Sequence, residues 1–116
     1  MNINDFHRGW FVGNFEPSVL TGNFEVGVQE YFAGQTHEPH YHQQTTEVNL
    51  ILDGEVEFFV KPYNDMSLDE YSRYVLKRGD IIKILPYEIT HILCRTNARI
   101  LCVKDKSTGT IDKISI

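Results

Sequence analysis

Short extended runs separated by turn-forming residues make up almost the whole chain, and hardly any stretch keeps a helical period for more than two turns. This pattern is typical of an all-β protein. About eight or nine short strands in one domain predict a sandwich or barrel, because closure removes exposed strand edges. Besides the strand that carries His40 and His42, the predicted runs are 9–15, 24–32, 47–52, 55–62, 74–77, 81–86, 91–95 and 98–105.

Three local patterns refine this prediction. In 24–32, alternation sets Phe24, Val26, Val28 and Phe32 on one face, which we expect to pack into the core. The runs on either side of Asp53-Gly54 predict a tight hairpin. In the polar stretch after Pro62, Ser67-x-x-Glu70 has the form of a capping box and predicts one helical turn within a loop.

Size and composition fit one soluble domain spanning residues 1–116. The chain is 41% hydrophobic and 23% charged, its net charge is -5, and its Lys and Arg residues are scattered, which argues against nucleic acid as a partner. No apolar run is long enough to span a membrane, and the start MNINDFHRGW does not resemble a signal peptide, so we expect a cytoplasmic location. Cys94 and Cys102, in apolar surroundings, predict buried thiols.

Three of the five histidines fall within six positions, His37, His40 and His42. On a strand, His40 and His42 point to the same face, about 7 Å apart at their Cα atoms, while Tyr41 points away. Glu47 begins the next extended run and offers an anionic ligand across a short connection. Taken singly, each of these side chains is better explained by exposure to water.

The complete pattern resembles the first motif of the cupin superfamily: glycine, five residues, H-x-H, four residues, glutamate, six residues, glycine. Residues 34–54 meet every fixed position, with Gly34, His40, His42, Glu47 and Gly54. These glycines stand where turns would need positive φ or a close backbone approach.

Residues 79–95 resemble the second cupin motif, which runs from a glycine through a strand to a proline and then a histidine. Here these are Gly79, Pro86 and His91. Two departures stand out: one extra residue separates Gly79 from Pro86, and Glu88 takes the place of the usual glycine two positions after the proline. The usual downstream asparagine is Arg95.

The resemblance implies a double-stranded β-helix, or jelly-roll, barrel with a metal ion in its mouth. It implies that His40, His42, Glu47 and His91 are the four metal ligands. Three imidazoles and one carboxylate suit a first-row divalent ion, namely Fe, Mn, Ni, Cu or Zn, and fit calcium or magnesium poorly.

Side chains near these ligands are candidates for a pocket. Strand parity from Glu47 places Asn49 and Ile51 on the inward side, where Asn49 either contacts a substrate or is satisfied by the backbone. Tyr31 and Gln29, on the polar face of the preceding strand, are further substrate-binding candidates.

Three residues are candidates for acid–base catalysis: His37 at the pocket rim, and Tyr87 and Glu88 in the loop before His91. For each, the alternative is a solvated loop residue without a catalytic role.

The leading functional hypothesis is a metal-dependent enzyme acting on a small molecule, with dioxygenase-type oxidoreductase chemistry suggested by analogy with the superfamily. The alternatives are a Lewis-acid isomerase or lyase, and a non-catalytic module that uses its ion to hold an organic acid or sugar. The resemblance also implies a homodimer, in which the N-terminal segment 9–15 would cross or cover a sheet edge.

Overall fold

The computed structural model describes residues 1–64, 70–108 and 111–116 and is all-β over that part of the chain. Two single-turn 3-10 helices, Ile3–Asp5 and His7–Gly9, precede the first strand. The helical turn predicted from Ser67 begins within residues 65–69, which lie outside the described residues. The strands are β1 Trp10–Gly13, β2 Val19–Leu20, β3 Glu25–Tyr31, β4 Thr36–His42, β5 Glu47–Asp53, β6 Glu55–Pro62, β7 Ser72–Lys77, β8 Ile81–Ile84, β9 Glu88–Cys94, β10 Ala98–Lys104 and β11 Lys113–Ser115.

These strands form two facing sheets, as the sequence predicted. The six-stranded sheet has the order β2-β1-β3-β10-β5-β8, and the five-stranded sheet has the order β11-β4-β9-β6-β7. Successive strands often lie in different sheets, which is the arrangement of a jelly roll. Among the described residues no helix is long and apolar enough to cross a membrane.

One end of the space between the sheets holds a compact apolar core. β5 and β10 supply its residues from one sheet, and β6 and β9 supply them from the other. Both cysteines are buried free thiols, as predicted, and Cys94 belongs to this core. Its members are Ile51, Val56, Phe58, Ile92, Cys94, Ala98 and Ile100. Burying each large aliphatic or aromatic side chain stabilises the fold by roughly 1.5–3 kcal/mol.

The other end of the same interior is polar. On β10 the inward residues run from Ala98 and Ile100 to Lys104, and Lys104 pairs with Glu25 on β3 and with Glu47 on β5. Lys104 and Glu25 are only 7% and 2% exposed. The two sheets therefore enclose a gradient from hydrocarbon to charge.

The prediction that Phe24, Val26, Val28 and Phe32 pack into the core is wrong. Phe24 and Phe32 are 42% and 76% exposed, whereas Glu25, Gly27, Gln29 and Tyr31 lie across from the inward residues of β10. The alternation was identified correctly, but its direction was wrong. The inner face of β3 borders the polar end of the interior, so the polar residues point inward there.

The predicted tight hairpin at Asp53-Gly54 is also wrong. β5 and β6 belong to different sheets, so the chain passes from one sheet to the other at Gly54. Gly54 has a φ of +89°, and a Cβ there would lie 2.2 Å from the Asn97 carbonyl oxygen. The Asp-Gly pair supplies the left-handed residue that a sharp turn needs, but it does not determine which strands pair afterwards.

Candidate metal centre

His40 and His42 lie at the end of β4 with both rings directed into the polar end of the interior. Their ring centroids are 5.4 Å apart. The Nδ1 atom of His40 is 3.0 Å from the carbonyl oxygen of Glu38, and a carbonyl can only accept, so Nδ1 carries the proton. This leaves Nε2 of His40 with a free lone pair. Burial lowers the pKa of His40 to about 4, which keeps the ring neutral at pH 7.

A buried carboxylate orients His42. Asp112, just before β11, is 1% exposed, and its Oδ1 lies 3.3 Å from Nδ1 of His42. Burial acts to raise the pKa of Asp112, but hydrogen bonds donated by the hydroxyls of Thr45 and Thr108 hold it well below its usual range. The ionised carboxylate accepts a hydrogen bond from Nδ1, which leaves Nε2 as the His42 atom that would bind a metal ion.

Glu47, the first residue of β5, brings a carboxylate to the two imidazoles. Its Oε2 is 3.6 Å from Nε2 of His42, and its Oε1 accepts a hydrogen bond from Nδ2 of Asn49 at 3.2 Å. Burial acts to raise the pKa of Glu47, but Lys104 and His42 outweigh it and hold the pKa below its ordinary value. Glu47 therefore faces the imidazoles as a carboxylate.

A bulge in β4 adds His37 to this group. His37 pairs with Ile92 of β9 and His40 pairs with Thr90, so three steps along β4 match two along β9. The extra residue falls at Glu38-Pro39, where a proline is tolerated because a bulge releases a ladder hydrogen bond. As a result His37 and His40 share the inner face, with ring centroids 4.8 Å apart. We call His37, His40, His42 and Glu47 the inner cluster.

The structure does not bring His91 into the inner cluster. On β9 the inward residues are Thr90, Ile92 and Cys94, which are buried against the interior. The His91 ring lies on the outer face, stacked at 4.5 Å on Phe59 and in edge contact with Tyr71. His91 also borders a small inner cavity, but these ring contacts place its imidazole outside.

Two of the three predicted acid–base candidates lie away from the inner cluster. The Tyr87 ring stacks on Tyr41 and meets Tyr63 on the outer face. The Glu88 carboxylate accepts a hydrogen bond from the Leu85 amide at 2.7 Å and closes the loop before β9. His37, the third candidate, is inside.

The inner cluster lies on the wall of a cavity of about 570 Å³, which the N-terminal segment helps to enclose. Three cations also line it, Arg8, Lys104 and Lys113. Lys104 lies 3.8 Å from Glu25 and over the Trp10 ring, while burial and the neighbouring Lys104 lower the pKa of Lys113. Two carboxylates, Glu30 and Glu47, line it as well, so the cavity combines imidazoles with three cations and two carboxylates.

The predicted substrate-contact residues also border these cavities. Gln29 and Tyr31 line the large cavity and, with Asn49, a second cavity of about 60 Å³. Burial raises the pKa of Tyr31 far above its ordinary value, so its hydroxyl keeps its proton. The Gln29 amide donates to the Arg8 carbonyl at 3.1 Å. The small cavity is also bordered by apolar residues such as Phe58, Ile92 and Ile100.

The donor chemistry of the inner cluster fits a first-row divalent ion. His40 presents an unprotonated Nε2 atom, the Nε2 atom of His42 lies 3.6 Å from Glu47, and Glu47 is ionised. Neutral imidazoles and carboxylates are the forms that bind a metal. Among the described residues, no three His, Cys, Asp or Glu side chains are already arranged around one point at ligand distance. Binding would therefore require the imidazoles to rotate about their side-chain torsions.

Several residues of the site have no counterpart in the sequence prediction. Asp112 and Lys113 reach it because β11, at the C-terminus, pairs with β4, and Lys113 lies opposite His42. Arg8 reaches it from the segment before β1. No local sequence pattern predicts such contacts between distant segments. The proline after Glu38 was the one signal that could have predicted the bulge and, through it, the inward His37.

Comparison with known proteins supports the fold. No family model matches the sequence, and no curated protein matches it significantly. Solved structures do match. A double-stranded β-helix protein from Klebsiella pneumoniae superposes with a TM-score of 0.71 at 15% identity, covering 99% of this chain and 94% of that one.

Larger proteins contain the same unit. CapF from Staphylococcus aureus, a capsular polysaccharide assembling protein, matches with a TM-score of 0.74 at 18% identity over 96% of this chain and 32% of its own. A variant of oxalate decarboxylase from B. subtilis matches with a TM-score of 0.75 at 15% identity over 96% and 29%. This chain spans less than a third of either. The likeness to the cupin superfamily is confirmed for the fold.

Proposed function

We propose that this protein is a metal-dependent enzyme that acts on a small organic acid in the 570 Å³ cavity. One observation carries the proposal: His40, His42 and Glu47 meet on the wall of a cavity that Arg8, Lys104 and Lys113 also line. The volume lies within the roughly 300–1,000 Å³ usual for small-molecule sites. The chain as a whole has a net charge of -5. The lining of this cavity carries three cations against two carboxylates, a local balance that favours an anion.

A first-row ion held by these side chains would supply a Lewis acid and, where it is redox-active, electrons for O₂ chemistry. The protein's own residues would do the remaining work. Arg8 and Lys113 would hold a substrate carboxylate, and the protonated Tyr31 hydroxyl would donate a hydrogen bond to a substrate oxygen. The apolar wall of the small cavity would exclude water from the reacting atoms.

The hydrogen-bonded partners of the imidazoles would keep the site in its binding form. The Glu38 carbonyl and the Asp112 carboxylate each accept an Nδ1 proton, which directs a free Nε2 inward. Such partners orient ligands and raise their basicity. These hydrogen bonds would fix which nitrogen of each ring binds, while the rings would still have to rotate before they share one ion.

Dioxygenase-type oxidation is the reaction class we propose first. Oxidation with O₂ needs an ion with open positions beside a bound substrate, and an ion held by His40, His42 and Glu47 on the cavity wall would have both. Lewis-acid cleavage or isomerisation of an organic acid is the second candidate. The oxalate decarboxylase fold match favours it, since that protein is named for acting on a dicarboxylic acid. Both reactions would use the same cationic side chains and the same metal ion.

The first experiment measures metal content by plasma mass spectrometry on untagged wild type beside His40→Ala and Glu47→Gln. We expect near-stoichiometric Fe, Mn, Ni, Cu or Zn in the wild type and loss of the ion in both variants. The metal-loaded protein is then incubated with a panel of mono- and dicarboxylic acids while O₂ uptake and products are recorded.

The outcomes separate the candidates. O₂ uptake with an acid supports oxidation, product formation without O₂ uptake supports Lewis-acid chemistry, and binding of an acid without turnover points to a non-catalytic module. Absence of metal in the wild type, even after reconstitution, would overturn the proposal.

A matched pair tests the substrate class. Arg8→Gln removes a cavity cation, and Arg78→Gln removes an exposed cation in the turn before β8. Since charge-assisted hydrogen bonds contribute roughly 1.5–3 kcal/mol, Arg8→Gln should raise KM for the acid about tenfold or more. Equal kinetics for both variants would contradict the assignment of an anionic substrate.

A further inference from the structure

We propose that His37, not His91, is the third imidazole ligand of the metal site, so that the ligand set is His37, His40, His42 and Glu47. This deepens the proposed function and rests on it, because it names the ligands of the same ion. The set departs from the one that the second motif implies. Four observations carry it.

The first is the direction of the two histidines. His37 lines both inner cavities beside His40, with the two ring centroids 4.8 Å apart. His91 packs its ring between Phe59 and Tyr71 on the other side of the five-stranded sheet. A strand residue cannot reach the opposite face without a change of register, because side chains alternate strictly.

The second is the residue that occupies the inward position on β9. Thr90 lies directly opposite His40 and is 6% exposed. Its hydroxyl is the buried side-chain polar atom that has no hydrogen-bond partner among the described residues. A fourth ligand from β9 would have to stand at this position, and a neutral threonine stands there instead.

The third is the reason for the displacement. The motif's glycine corresponds to Glu88, three residues before His91, but the residue with positive φ is Tyr87, at +63°, three residues before Thr90. The left-handed turn therefore comes one residue early relative to the motif. Because side chains on a strand alternate with a period of two, this shift turns the motif histidine outward.

The fourth is the spacing of the imidazoles. With a metal–nitrogen distance of about 2.1 Å and a ring centre about 1.1 Å beyond the nitrogen, two imidazoles on one ion have centres about 4.5–5.2 Å apart. The His37–His40 and His40–His42 separations are 4.8 and 5.4 Å. The first separation lies within this range and the second exceeds it by 0.2 Å, so a small movement of the His42 ring, together with ring rotation, would bring the three imidazoles onto one ion.

The test measures binding of Co²⁺, whose visible absorption reports its ligands, to the full chain. We compare wild type, His37→Ala, His91→Ala and the double variant His37→Ala/Thr90→His. His37→Ala should weaken binding by more than the roughly 10- to 100-fold that loss of a ligand's hydrogen-bonding partner costs, and His91→Ala should leave it within about twofold. The double variant should recover affinity, because it supplies an imidazole from the inward position of β9.

A second measurement does not depend on variants folding. Histidine side-chain ¹⁵N–¹H spectra of the wild type, recorded with and without Zn²⁺, should show Nε2 shifts for His37, His40 and His42 and none for His91. Loss of Co²⁺ in His91→Ala together with retention in His37→Ala, or a metal-induced shift at His91, would overturn the assignment. A wild type that binds neither Co²⁺ nor Zn²⁺ would instead overturn the proposed function itself.

Discussion

The two motif segments, residues 34–54 and 79–95, resemble the same superfamily but differ in what they deliver to the interior. In the first, His40, His42 and Glu47 all face the cavity. In the second, a strand forms where the sequence predicts one and pairs with β4 and β6, yet His91 faces outward. The comparison shows that a motif fixes residue types and approximate spacing, whereas the face of a strand depends on the turn before it to within one residue.

The glycines of the two segments offer the largest test of this contrast. Gly54 and Gly79 both have a φ of +89°, but a Cβ at Gly54 would lie 2.2 Å from the Asn97 carbonyl oxygen, and one at Gly79 would meet nothing within 4 Å. Alanine at Gly79 should lower the free energy of unfolding by about 1–2 kcal/mol, the cost of the left-handed conformation. Alanine at Gly54 should lower it by about 2–5 kcal/mol, because overpacking is added.

Urea denaturation of the metal-free protein checks both values, with Gly34→Ala as a further control. Gly34 has a φ of +84° and also has nothing within 4 Å of its Cβ position. Equal losses for Gly54→Ala and Gly79→Ala would show that the passage between sheets at Gly54 relaxes easily.

The sequence predicted those parts of the fold that depend on local order. Alternation and turn residues identified most strands, and the parity from Glu47 correctly placed Asn49 and Ile51 inward, where they are 5% and 0% exposed. The Gly34–Gly54 motif predicted three side chains that the structure brings to one cavity. These results follow from spacing along a single strand or between neighbouring strands.

The remaining features depend on contacts between distant parts of the chain. The inward face of β3 could not be predicted from its own alternation, because the partner of Glu25 on that face is Lys104, a residue of the distant strand β10. The hairpin prediction failed for a similar reason, since the choice of sheet after Gly54 is made by pairing with β7 and β9. Asp112 reaches His42 across a separation of 70 residues.

Asp112 provides the second test, because its carboxylate supports an imidazole of the first motif, whereas the His91 ring of the second motif packs against Phe59 and Tyr71. Asp112→Asn keeps the shape of the side chain but weakens its hold on Nδ1 of His42. We expect metal affinity to fall about 10- to 100-fold with the fold retained. Titration with Co²⁺, alongside circular dichroism, measures this.

Asp105→Asn is the matched control, since the Asp105 carboxylate accepts a hydrogen bond from the Thr46 amide at 3.0 Å at an exposed position of the same region. Its affinity for Co²⁺ should equal that of the wild type. Equal affinity for Asp112→Asn would mean that His42 keeps its orientation through its position on β4 alone.

The smallest effect is expected at Thr90, the inward residue of the second segment. An unpaired buried hydroxyl costs stability, so Thr90→Val should raise the free energy of unfolding of the metal-free protein by about 1 kcal/mol. Thr36→Val, at an exposed position on β4, should change it by less than about 0.5 kcal/mol. A loss of stability in Thr90→Val would show that the hydroxyl has a partner, such as an ordered water.

The sign of this change also bears on function, because the Thr90 hydroxyl belongs to the same inner wall as His40. A residue that costs stability in the free protein is expected where it contributes to ligand binding or catalysis. If Thr90→Val stabilises the protein and also weakens binding of the organic acid, the hydroxyl serves the ligand. Stabilisation with unchanged binding would mean instead that Thr90 occupies the inward position on β9 without a role in ligand binding.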